Sequence, residues 1–127
     1  MSSQNNSGLQ YDKQRAVTIV ATAAITACRF AGYDGAHATS AGGGHDAQGI
    51  SETDADVGQA FSAITGYSGL VECSEALAFG DFVKPAADGS GKAAKGTATE
   101  NCGRALGATS AAGQKVEVQF TKHVHAA

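Results

Sequence analysis

The chain has 127 residues, enough for one domain, with 9 Lys and Arg against 12 Asp and Glu and a formal net charge of −3. That balance, with a pI near 5.7, argues against a partner held through its phosphates, and no apolar run approaches the ~18 residues of a membrane helix. Seventeen Gly, five Phe, three Tyr and no Trp leave alanine to supply much of the 43% hydrophobic content. Alanine buries little area, so the predicted core is thin and self-association is expected to add stability.

Residues 1–15 read as a polar N-terminal arm, with Leu9 and Tyr11 as its first possible anchors and Lys13 and Arg15 as its basic end. Lys13, Arg15 and the apolar stretch Ala16 to Ala27 superficially resemble a signal peptide. Its interspersed threonines and polar leader favour cytoplasmic synthesis without processing. Val17, Thr18, Ile19 and Val20 favour a strand, with a helix over residues 21–27 as the competing expectation. Cys28 to Tyr33 predicts a short strand turning at Asp34-Gly35, and Ala36 to Asp46 a loop around Gly42-Gly43-Gly44. Gln48 to Glu52 reads as a brief strand, Thr53 to Gly58 as a polar connection, and Gln59 to Thr65 as a strand with Phe61 and Ala63 inward. Gly66 and Gly69 are expected to bracket a turn before a strand over Leu70 to Cys73.

The second half repeats this order. Phe82-Val83 predicts a strand ended by Pro85, whose missing N–H suits an edge, and Asp88 to Gly91 a turn. Lys92 to Lys95 reads as short and exposed, and Ala105-Leu106 as a strand. Ala108 to Gly113 is a small-residue connection. From Gln114 to Lys122 the alternation is clean, with Val116, Val118 and Phe120 inward. Phe30 and Phe82 stand 52 residues apart, and Gly58-Gln59 and Gly113-Gln114 stand 55 apart. The fold class is therefore expected to be all-β, a small barrel or sandwich of two similar β units over residues 16–74 and 75–122, with a tail at 123–127.

Residues able to carry chemistry are few. Cys28, Cys73 and Cys102 form no close pair and read as buried apolar groups in a reduced compartment. His123 and His125 share a face if extended, with His45-Asp46 as the other possible ligand source, but solvent-exposed terminal histidines are the expectation. The acids Asp46, Glu52, Asp54 and Asp56 resemble a calcium loop. Gln59 and Thr65 stand where an EF-hand needs Gly and Glu, so a solvated acidic loop is expected. Ser40, His37 and Asp34 include the triad residue types without the strand–turn–helix elbow that lifts a serine into position. No catalytic residue, metal or cofactor is assigned, and no enzyme activity is expected.

Four segments, taken in this order, carry a family likeness. They are Cys28-Arg-Phe-Ala-Gly-Tyr-Asp-Gly35, Gln48-Gly-Ile-Ser-Glu-Thr-Asp-Ala-Asp-Val-Gly-Gln59, Ala76-Leu-Ala-Phe-Gly-Asp-Phe-Val-Lys84 with Asp88-Gly-Ser-Gly-Lys92, and Gly103-Arg-Ala-Leu-Gly-Ala-Thr-Ser-Ala-Ala-Gly-Gln114 with Val116-Glu-Val118. With its duplication, the chain resembles the small capsid decoration, or cement, proteins of tailed bacteriophages. The resemblance implies a homotrimeric module on the outer capsid surface of the virion, bridging major capsid protein subunits, without cofactor, nucleic acid or membrane. The residues expected to touch capsid are Leu9, Tyr11, Lys13 and Arg15 of the arm, adding a strand to an exposed capsid edge. The alternative is a host-surface or carbohydrate-binding β module of a phage fibre, against which Tyr11, Tyr33 and Tyr67 stand scattered along the sequence.

Overall fold

The computed structural model describes residues 13–39 and 46–124, which are all-β, with no helix among them. Eight strands form: β1 (Lys13–Val20), β2 (Phe30–Gly32), β3 (Ala47–Ser51), β4 (Ala60–Glu72), β5 (Phe82–Pro85), β6 (Ala93–Lys95), β7 (Asn101–Ala105) and β8 (Lys115–Val124). Their order is β2-β3-β4-β8-β7-β5-β6, with β1 paired to β4 off this path. A parallel bridge from Ala93 of β6 to Cys73, just past β4, curls the sheet almost into a barrel.

The duplication is written into the hydrogen bonds. Val20 pairs with Ala60 and Ala16 with Ile64 between β1 and β4; Glu72 pairs with Lys115 and Ser68 with Gln119 between β4 and β8. Ile25 bridges Ala55 as Leu77 bridges Thr109. Ser51 N–H donates to Arg29 O as Ala105 N–H donates to Asp81 O. Residues 68–72 of β4 thus repeat β1, while residues 60–64 repeat into β8. One strand closes the first unit and opens the second.

The same alignment explains the core. In the first unit Ala21, Ile25, Ala31, Phe61 and Ala63 form a small cluster with Ile19 against it. Their counterparts Cys73, Leu77, Val83, Val116, Val118 and Val71 lie in the main core. That core also takes Phe30, Ile50 and Ile64 from the opposite face of the first unit. The matching positions in the second unit are Phe82, Arg104 and Gln119. Arg104 is exposed, its guanidinium 4.5 Å over the Phe82 ring. The first unit is therefore covered on both faces and the second on one.

Several expectations are corrected. Gly66 and Gly69 do not bracket a turn; β4 runs through both for 13 residues. Gly69 marks a close approach, because a Cβ there would stand 3.1 Å from Ile64 Cδ1 and 3.2 Å from Ile50 Cδ1. Residues 21–29 form no helix and extend no strand; bends surround the Ile25 bridge. Lys92 to Lys95 is not simply exposed, since β6 buries Ala93 completely. The strand expected at Ala105-Leu106 starts earlier, at Asn101, whose side-chain amide donates to Thr97 O. Pro85 ends a strand that has neighbours on both sides, β7 and β6. Pairing with β7 covers only Phe82 and Val83, so no ladder bond is asked of its nitrogen.

Cys73 and Cys102 are buried as expected, but Cys28 is only half-buried, with φ at 62°. Its counterpart in the second unit is Gly80, at φ 87°. A side chain in this left-handed conformation costs roughly 1–2 kcal/mol, more than the chain entropy that glycine adds. Cys28→Gly is therefore expected to raise stability by about 1 kcal/mol, or roughly 4 °C in Tm, in thermal unfolding followed by circular dichroism.

Candidate functional site

Lys13 and Arg15 stand on β1, paired with Tyr67 and Gly66, so the backbone there is laddered. Leu9 and Tyr11 lie outside the described residues. β1 is the most exposed strand: Arg15 to Thr18 and Val20 are open to solvent, Val20 at 59%. Next to its end, Ala21 N–H donates to Gln59 O and Gly58 N–H to Ala21 O. That pairing sets the turn carrying Val57, 68% exposed, next to the end of β1, where Val20 is also open to solvent. In the second unit the equivalent strand, residues 68–72, is buried under the first: Ser68 and Val71 are fully covered. The same strand therefore appears twice in the molecule, once covered and once bare.

The covering of the second copy is polar as well as apolar. Glu72 N–H donates to Cys28 O, while Arg29 reaches the Glu72 carboxylate at 3.2 Å and Lys92 at 3.4 Å. Burial opposes the charge on Glu72, yet the two cations hold its carboxyl below the usual carboxylate range. This cluster fastens the two units together across their shared strand.

The candidate chemical groups are absorbed into structure. Asp54 Oδ1 accepts from Ala27 N–H at 2.8 Å and Glu52 Oε1 from Ser62 Oγ at 2.6 Å, so the loop expected to be merely solvated holds the bends after β1 in place. Asp34 Oδ1 accepts from Ala36 N–H in a local turn, and Ser40 lies outside the described residues. His123 is buried on β8 rather than exposed, its Nδ1 accepting from Ala47 N–H at 2.9 Å. Asp46 and His123 do meet, at 4.0 Å, although no sequence spacing linked them. His45 and His125 lie outside the described residues. Among the described residues no three His, Cys, Asp or Glu side chains gather as a metal site requires.

His37, half-buried just after β2, titrates away from its ordinary value. Its Nε2 accepts from Thr26 N–H at 3.1 Å, which places the proton on Nδ1, and Gly91 packs so close that a Cβ would stand 2.8 Å from that nitrogen. Burial pushes its pKa down, and Arg29 adds to the effect. The unfolded chain therefore binds the proton more readily. This contribution to stability is complete above the ordinary histidine pKa and is lost as pH falls through it. Urea midpoints measured from pH 7.5 to 5.5 are expected to fall, and His37→Asn is expected to flatten that slope.

No protein-family model matches the sequence, and no curated protein matches it. Among solved structures, the fold is similar to the crystal structure of the N base of head fiber gp8.5 in bacteriophage phi29. The TM-score is 0.63 at 17% identity, over 89% of this chain and 98% of that one. At this identity the likeness is one of fold.

Proposed function

We propose that this chain is a structural component of a bacteriophage head, bound to the outer surface of the mature capsid and bridging major capsid subunits without catalysing a reaction. The observation that carries the reading is the likeness to a head-fiber base across nearly all of that module. The bare β1 face supports it. A strand that is covered in one copy and uncovered in the other is a ready surface for a partner, and Val20 and Val57 are the exposed apolar side chains at its end. Leu9, Tyr11, Lys13 and Arg15 are the residues proposed to engage the shell, by adding a strand to an exposed capsid edge. Three chains in a homotrimer multiply weak contacts into lasting attachment, since each bound patch raises the effective concentration of the next.

The test is binding of the purified chain to expanded, empty heads of its own phage, read by co-sedimentation and by cryo-EM of the decorated particle. Occupied knobs on the shell are expected, and Val20→Glu with Val57→Glu should empty them while leaving the fold intact. Heads that take up none of the wild-type chain would sink the reading. A second reading follows from the neighbour's description: the module as the base of a longer head fiber. Continuous fiber density rising from each knob would favour it over the cement role.

A further inference from the structure

Beside β3, β4 and β8 lies an open groove of about 350 Å³, lined in part by Tyr33, Gln48, Thr65, Phe120, Thr121 and Lys122. Tyr33, in the turn after β2, is 71% exposed at its rim, and Phe120 is partly buried against the core with its ring 6.3 Å from Phe30. The two aromatics are far apart in sequence, yet both line this groove. The Gln48 amide, the Thr65 and Thr121 hydroxyls and the Lys122 ammonium make no hydrogen bond or ion pair among the described residues. Four polar residues with donors and acceptors unspent thus line the same groove as an exposed aromatic ring.

We infer that this groove binds a saccharide carrying a carboxylate. A sugar ring offers an apolar C–H face to an aromatic platform and a rim of hydroxyls that need both donors and acceptors, and the groove presents that combination. An apolar peptide side chain would leave the amide and the hydroxyls unpaired, at a cost. Among the described residues Lys122 is the only charged one on the lining, and it directs the choice toward an acidic sugar. Because the groove is open along one side, it takes part of a chain rather than engulfing a free monosaccharide. It lies on strands other than β1, so sugar binding and shell attachment are separable properties.

The test is an amide-resolved NMR titration of the full chain with trigalacturonate, a sialyl trisaccharide and uncharged galactotriose. Shifts confined to the amides of Tyr33, Gln48, Thr65 and residues 120–122 are expected, with at least one acidic sugar binding more tightly than galactotriose. Tyr33→Ala is expected to weaken binding about tenfold, as loss of a stacked ring does. Lys122→Gln should remove the preference for the acidic sugar, while both variants keep wild-type spectra elsewhere and wild-type capsid binding. Absence of localised shifts with all three sugars overturns the inference, and so do shifts that neither substitution alters. Tighter binding of galactotriose would overturn the assignment of Lys122.

Discussion

Replacing Gly103 with alanine is expected to destabilise the protein by about 3 kcal/mol, the upper part of the usual range for overpacking. Gly103 sits in the middle of β7, buried, opposite Phe120 of β8. A methyl group there would intrude on the Gln119 carbonyl oxygen and come within 3.0 Å of Val118 Cγ1. Both neighbours belong to the strand that closes the second unit, so neither can yield without pulling the ladder apart. Gly49 occupies the same position in the first unit, where an added Cβ would lie 2.7 Å from Ile64 O. Gly49→Ala is expected to act alike. The control is Gly113→Ser, at a turn whose added Cβ meets nothing, where only the cost of a φ of 92° remains. Equilibrium urea unfolding measures all three, and a Gly103 variant within 1 kcal/mol of wild type would contradict the packing described.

The second large effect is asymmetric. Ile50→Ala should cost about 3 kcal/mol, whereas Arg104→Ala, at the matching place in the other unit, should cost less than about 1 kcal/mol. Ile50 is fully buried in the main core between the two units, and its side chain closes against Gly69. Truncation there removes three carbons and leaves a cavity that flanking strands cannot fill. Arg104 faces solvent, stacks over Phe82 and donates from Nε and Nη2 to Gly80 O, at 3.0 and 2.9 Å. Those bonds are open to water, which replaces much of what truncation removes. Equal losses at the two sites would mean that the units are covered alike, contrary to the packing described.

Much of this was legible in the sequence. Val116 and Val118 alternate with polar residues, and the structure buries both in β8. The paired glycines at 58 and 113 announced the duplication, and both adopt left-handed backbone before the strands that follow. Local signals stopped being reliable where long-range packing set the outcome. Gly66 and Gly69 carry turn chemistry, yet Gly69 is a strand residue because Ile50 and Ile64 occupy the space a side chain would need. His123 reads as a terminal polar residue, and only the approach of Ala47 reveals that it is buried. The tyrosines at 33 and 67 tell nothing from their spacing. The groove needs Phe120, which pattern assigns wholly to the core, and Gln48, which pattern leaves unremarked.

Because β4 belongs to both units, no hinge separates them among the described residues. Melting either half strips a partner strand from the other, so the two clusters should lose their order in one transition rather than two. A load entering through β1 passes across the ladder to β8 with no slack linker to take up the strain. The coupling lies in the shared backbone of β4, whatever apolar area the alanine-rich interior buries.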